Sequence, residues 1–405
     1  MASAIAWLDA SSEEQRRMRD IIRLFSDRES RDELGLGQIR DAIADALFPG
    51  TSTLLTRARY LLFVPWAYQL AANRPNPAAA ADRFERDIIR ALRDSDDYAG
   101  LLGMQAGEAL KTLPSAVYWS MLRHYGILAD PSLSREESIA IRVRGALSDD
   151  PTATQSGRPD AWSSTMPNPP DGFPQSIPGG FTLRYEEAAW LRDRLLGFAP
   201  ETLLAHLVID RPAPESPTPW ADAAALRVSG TAREWLDDAR SFSALMHGAQ
   251  LLYNLMLAEQ YESAGYDRLN APSERFGAAL EDWQSRFEGL VDLTSWDLAA
   301  LLHRVDIVRG SPINPRTRQF VTAWRDLLAD GGGQSIIEYG PAREFMAARE
   351  RQHKGPQARL GNLGRLASWG GTAGAGAMTY RWSTVRGILL DIHAGLDSAP
   401  GDQDA

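Results

Sequence analysis

The stretch Gly230–Glu262, GTAREWLDDARSFSALMHGAQLLYNLMLAEQYE, decides the fold class of this chain. Trp235, Phe242, Leu245, Met246, Leu252, Leu255 and Met256 recur in it as one apolar stripe. Apolar residues three and four positions apart fall on one face of an α-helix, so the stretch reads as one long amphipathic helix. Working outward on the C-terminal side, the same periodicity predicts helices over 271–290, 294–308, 313–329 and 335–352. The last helix spans 376–395, with Trp382, Val385, Leu389 and Ile392 on one face.

On the N-terminal side, Ser11-Ser12-Glu13-Glu14-Gln15 has the form of a capping box, Ser three before Glu or Gln. Met18, Ile21, Ile22 and Phe25 continue it at helical spacing. A second helix is expected over 36–47, stopped by Phe48-Pro49-Gly50, and a third from Thr51 to Phe63 or Val64, ending before or bending at Pro65. Further helical patterns cover 81–93, 101–127 and 134–147, with Pro114 a break. Leu203–Ile209 fits a short strand or a helix equally well. There is no internal repeat and no run of alternating strands. Residues 150–180 hold seven prolines and little helical periodicity, the composition of a linker or long surface loop. Trp162 and Phe173 argue that it is anchored. The expected fold is mainly α and multi-helical: a helical unit over 1–149, a proline-rich connection over 150–180, a second helical unit over 181–397 and a frayed tail over 398–405.

Composition bounds the function. Of 405 residues 44 % are hydrophobic and 24 % charged, which excludes disordered, collagen-like and disulfide-stapled classes. The net charge of −10 argues against a generic nucleic-acid or membrane binder. With no cysteine, thiol catalysis, zinc ribbons and iron–sulfur clusters are excluded. Lys111 and Lys354 are the only lysines, so lysine chemistry has two places to be. Met1–Asp9 lacks a secretory pattern. The longest apolar segment, Tyr60–Ala72, is broken by Pro65 and Gln69, short of the about 20 apolar residues of a spanning helix. The reading is a soluble cytoplasmic protein without membrane contact.

Most familiar chemistries fail on spacing. Neither lysine ends a glycine-rich phosphate loop. Gly370-Gly371-Thr372-Ala373-Gly374-Ala375-Gly376 lacks the preceding strand of a dinucleotide fingerprint. Lys111 follows Glu108 by three and Lys354 follows Glu350 by four, where a restriction-type nuclease site needs two. No histidine pair has zinc-helix spacing, so no metal or cofactor is expected. Arg240 with His247, and Arg386 with His393, have the arginine–histidine spacing of one all-helical ribonuclease type. Chance alone supplies as many such pairs in a chain this rich in arginine. Arg240 and His247 stay as the catalytic candidates of an alternative reading.

Two segments point to anion binding. Pro49-Gly50 followed by Thr51-Ser52-Thr53 would open a helix with free N–H groups and hydroxyls, and Arg57 and Arg59 would follow one to two turns on. The competing reading makes Thr51 or Ser52 a plain cap and pairs Arg57 with Asp41 or Asp45. The second segment, 343–386, carries eight basic residues, among them Arg351, Lys354, Arg359, Arg365, Arg381 and Arg386, against Glu344 and Glu350. Trp369, Tyr380 and Trp382 lie among them. Arginines interleaved with aromatics suit phosphate contact and base stacking. A solvated face and a docking surface for acidic protein are the alternatives.

The series Asp32-Glu33-Leu34-Gly35-Leu36-Gly37-Gln38-Ile39-Arg40-Asp41, Leu47-Phe48-Pro49-Gly50-Thr51-Ser52, Thr56-Arg57-Ala58-Arg59-Tyr60 and Phe63-Val64-Pro65-Trp66 resembles the N-terminal signature of a bacterial domain-of-unknown-function family. The resemblance continues through Leu252–Glu259, Ala358–Leu360, Trp369 and Tyr380–Trp382, so it covers nearly the whole chain. It implies no established activity, and it implies a setting beside anti-phage defence genes. Together these readings point to a non-enzymatic component of a bacterial multi-protein system. It would bind DNA, RNA or a protein from a neighbouring gene through the arginine-rich C-terminal segment, with Arg57 and Arg59 at a second anion site. The alternatives are an all-helical nuclease or nucleotide-processing enzyme, and a structural adaptor without nucleic-acid contact.

Overall fold

The structure, a computed structural model, describes residues 32–93, 98–104, 106–107, 110–146, 160–330 and 335–398. Among these the chain is mainly α and multi-helical, as the periodicities require, and no strand occurs. The capping signature at 11–15 and the tail beyond Ser398 lie outside the described residues. No described helix is long and apolar enough to cross a membrane.

The chain forms two compact units, and they do not divide at the proline-rich segment. Among the described residues, one comprises Asp32–Ala42 together with Arg240–Met378; the other comprises residues of Ile43–Ala239 together with Thr379–Ser398. Both are discontinuous in sequence, which no composition shift announces. The described part of the proline-rich segment, from 160 on, belongs to the 43–239 unit.

In that unit the helices are α2 (Tyr60–Ala71), α3 (Pro77–Arg93), α4 (Pro114–His124), α5 (Arg135–Ala146), α6 (Tyr185–Phe198), α7 (Leu203–Ile209) and α14 (Trp382–Asp397). Leu203–Ile209 is thus a helix; Thr202 caps it, its hydroxyl accepting the Ala205 N–H at 3.2 Å. α2 reads YLLFVPWAYQLA and is buried on almost every side, which makes it the core helix. Around it pack α3 and α4. Phe173, from the proline-rich stretch, and Phe181, just after it, set their rings against Phe63 at 6.0 and 6.1 Å. Trp66 donates to the Pro167 carbonyl at 2.7 Å. Each such buried side chain contributes about 1.5–3 kcal/mol of apolar transfer, which is why a segment rich in proline stays fixed here. α14 packs on α6 and α7, and its Gly395 lets the Leu183 and Ala188 side chains approach where a Cβ would lie within 2.8 Å of both.

The expected helix from Thr51 does not form. Residues 51–59 run as turns and coil, and the helix begins at Tyr60. Pro65 lies inside it, tolerated in the second turn. Likewise, among the described residues of 101–127, the α-helix is confined to Pro114–His124.

The other unit contains the start of α1 (Gly37–Leu47), the larger part of α8 (Gly230–Ser263), and α9 (Pro272–Leu290), α10 (Leu298–Arg309), α11 (Pro315–Asp330), α12 (Gly340–Lys354) and α13 (Leu363–Leu366). α8 is the long helix of the quoted stretch. Leu245, Met246, Leu252, Tyr253 and Tyr261 are fully buried along it. Trp283 of α9 and Trp324 of α11 donate their indole N–H groups to the Ala244 and Leu245 carbonyls at 2.8 and 3.0 Å. Gly248 makes room for Trp283, whose ring a Cβ there would meet at 2.3 Å.

Candidate functional site

The densest polar constellation lies in the unit built on α8. It forms where residues 32–38 dock along α12. Asp32 ends the strap: its carboxylate accepts the N–H groups of Leu36 and Gly37, each at 2.7 Å, at the start of α1. A carboxylate there satisfies orphan donors and suits the helix dipole. The Asp32 carbonyl faces His353 Nε2 at 3.0 Å. Next, the Glu33 carboxylate contacts the Lys354 ammonium and accepts from Arg359 at 2.7 Å. The Leu34 carbonyl takes two bonds from the Arg349 guanidinium, at 2.9 and 2.7 Å. The Gly35 carbonyl accepts the Thr317 hydroxyl at 3.1 Å. Gly35 has a φ of +69°, and a Cβ there would lie 2.5 Å from Arg349 Nη2 and 2.8 Å from His353 Nδ1. Only glycine fits.

Behind Glu33 lies a second carboxylate. Glu350, fully buried, accepts from Tyr253 Oη at 2.5 Å and from the N–H groups of Arg359 and Leu360 at 2.8 and 2.9 Å. Both cations therefore sit on Glu33, while Glu350 is held by neutral donors, the Tyr253 phenol and two backbone N–H groups. Burial and the Arg359 charge press the Lys354 ammonium down to about 7. The Glu33 carboxylate in contact with it acts in the opposite direction and favours the charged form. Arg349 is buried without a carboxylate on it; carbonyls, Thr317 and the Phe320 ring at 4.6 Å take its charge. Burial pulls it down to about 10.

Sequence spacing set Glu350 and Lys354 aside as a nuclease pair. The fold nevertheless gathers Glu33, Glu350 and Lys354 with Arg359 and Tyr253. Glu33 and Tyr253 stand in the series that carries the family resemblance, but nothing local gives either a role, because their partners lie elsewhere in the chain. Among the described residues no group of three or more His, Asp or Glu side chains is arranged to hold a metal.

The remaining nominated residues are dispersed. Arg57 pairs with Asp391 at 3.0 Å, donates to the Ala99 carbonyl and lies over the Phe181 ring. Arg59 is buried; its Nη2 donates to Glu187 at 3.0 Å, its Nε lies 3.0 Å from the other carboxylate oxygen without a hydrogen bond, and its Nη1 reaches the Pro178 and Gly180 carbonyls at 3.0 and 2.7 Å. The pair was expected one to two turns into a helix; both residues precede α2 instead, and each has a carboxylate of its own chain. Thr51 is buried and donates to the Phe48 carbonyl at 2.6 Å, and Ser52 accepts the Leu54 N–H. Arg381 binds Asp45 and the Thr51 carbonyl at 2.6 and 2.7 Å, and Arg386 donates to the Ser216 carbonyl. Arg351 and Arg365 are exposed, with no side-chain partner among the described residues. His247 is half-buried against the Ala375 carbonyl at 3.2 Å, and burial, the largest influence, lowers its pKa. Arg240 keeps a buried Nε without a hydrogen-bond partner.

The sequence profile of a family of unknown function, DUF6361, matches residues 2–394. The chain belongs to this family. The match spans both compact units, so DUF6361 describes the whole two-unit arrangement, not a domain within it. No curated protein and no solved structure matches the chain.

Proposed function

We propose that this DUF6361 chain is a non-enzymatic binding component of a bacterial multi-protein system, engaging a protein partner and not nucleic acid. One observation carries the choice. Of the eight nominated basic residues, Arg57, Arg59, Lys354, Arg359, Arg381 and Arg386 already bond a carboxylate or carbonyl of their own chain. Arg351 and Arg365 are left exposed. A duplex binder typically neutralises about 6–10 phosphates with free cations. Two are too few, on a chain of net charge −10. They suit the rim of a protein interface, where single charges set orientation and on-rate. The anti-phage setting rests on the family resemblance of the N-terminal series.

Fluorescence anisotropy with short single- and double-stranded DNA and RNA across a salt series tests the choice. The expected result is no saturable binding near roughly 100 mM salt. In parallel, the chain co-expressed with proteins encoded beside it should yield a defined complex, weakened by Arg351→Glu with Arg365→Glu. Tight, salt-dependent nucleic-acid binding overturns the reading.

A further inference from the structure

Glu85 of α3 is fully buried in the 43–239 unit. One carboxyl oxygen accepts the Ser115 N–H at 2.7 Å, capping the start of α4 from a neighbouring helix. Its other oxygen, Oε1, is buried with no hydrogen-bond partner, and so is the Ser115 hydroxyl beside it. A buried carboxylate with an empty oxygen is costly, whereas a carboxylic acid turns that oxygen into a donor for a neighbouring hydroxyl. The groups facing it do not supply a full counter-charge. α2 presents the phenols of Tyr60 and Tyr68, α3 itself presents Asp82, α4 presents Ser115, whose N–H and hydroxyl favour the carboxylate but less than burial opposes it, and α5 presents Arg135, whose pull is the smallest influence.

We propose that Glu85 is a proton-operated latch: as the carboxylic acid it ties α3 to the first turn of α4, and loss of its proton loosens that turn. Burial, the largest influence, lifts its carboxyl to about 7. The latch therefore works in the range where cytoplasmic acidification or alkalinisation acts. It is independent of the partner-binding reading, since no nominated surface residue contributes to it.

Because the folded form holds the proton more tightly than the unfolded chain, the stability that Glu85 lends is present at low pH and is lost as pH rises through about 7. Glu85→Gln keeps the shape and the neutral charge. The thermal midpoint of the variant should gain on that of the wild type as pH rises from about 5 to about 8, and exchange of the Ser115 amide should be slower in the variant at the upper pH only. A carbon-13 carboxyl titration of the wild-type chain should show one glutamate with a midpoint near 7. Its signal is identified by its absence in Glu85→Gln, or in Glu85→Asp if the first variant does not fold. A Glu85 midpoint at an ordinary glutamate value, or a midpoint gap that does not change with pH, overturns the latch.

Discussion

Glu33 and Glu350 meet on one phenol: Tyr253 Oη lies 2.5 Å from Glu350 and 3.4 Å from Glu33. Two buried carboxylates tolerate this closeness because Glu33 takes the charges of both Lys354 and Arg359, and Glu350 takes the Tyr253 phenol and the Arg359 and Leu360 N–H groups. Glu33→Gln takes from Lys354 and Arg359 the carboxylate that they share, and its cost should approach the about 3–5 kcal/mol of a broken buried pair, reduced because Arg359 is partly solvated. Lys354→Met leaves Glu33 paired with Arg359 and should cost less. Urea unfolding of both variants reads the order directly; a larger loss for Lys354→Met would mean that the network does not balance as described.

Gly35 and Gly310 both adopt positive φ, +69° and +66°. Around Gly310, a C-terminal cap of α10, nothing lies within 4 Å of a built Cβ. Gly310→Ala should therefore cost only the left-handed backbone penalty, about 1–2 kcal/mol. Gly35→Ala adds a clash with Arg349 and His353 and should cost at least about 2 kcal/mol more, with the Arg349 bonds to Leu34 disturbed. Equal losses in thermal midpoint would show that the strap yields without displacing Arg349.

Much of this was legible in the sequence, and the rest was not for a common reason. Periodicity located α8, α9, α11 and α14 because one buried face repeats along each. It misplaced the start of α2 because Pro-Gly-Thr-Ser-Thr carries a helix-start signature, while the backbone there is taken by long-range partners: Tyr118 Oη accepts the Thr56 and Arg57 N–H groups at 2.8 and 3.0 Å, and Asp391 accepts from Ala58 at 2.9 Å. The basic surplus of 343–386 was visible, but its neutralisation was not. Glu33, Asp45 and Glu259, which take Arg359, Arg381 and Arg343, lie far away in the sequence. Counting charge within a window cannot find partners outside it. The two discontinuous units escaped notice on the same grounds.

Arg59 and Glu187 form a pair with side chains 1 % exposed on both sides. Arg59 also holds the Pro178 and Gly180 carbonyls, so it fixes the end of the proline-rich stretch before α6. Arg59→Met should cost less than the about 3–5 kcal/mol of a stranded buried charge, because Glu187 keeps the Arg184 guanidinium at 3.0 Å. Adding Glu187→Gln should recover part of that loss, since a neutral side chain is easier to bury beside one partly exposed cation and its carbonyl can still accept the Arg184 N–H. Arg59→Lys should rescue little, because an ammonium cannot span Glu187 and two carbonyls together. A double variant less stable than Arg59→Met alone would remove the argument.

Arg359 and Arg381 distinguish the structural from the nucleic-acid reading most sharply. If they were phosphate contacts, Arg359→Ala with Arg381→Ala would weaken binding and leave the fold intact. Their bonds to Glu33, and to Asp45 and the Thr51 carbonyl, predict the opposite. Each loses a charge-assisted bond that is partly buried, worth about 1.5–3 kcal/mol. They belong to different compact units, so the losses should add. Arg381 also sits at φ +67°, which a non-glycine residue adopts only when held. Arg381→Gly should therefore cost less than Arg381→Ala, the relieved backbone offsetting part of the lost ion pair. Urea unfolding of the two single variants, the double variant and Arg381→Gly measures all of this. Wild-type stability in the double variant would return both arginines to the surface role that their sequence context first implied.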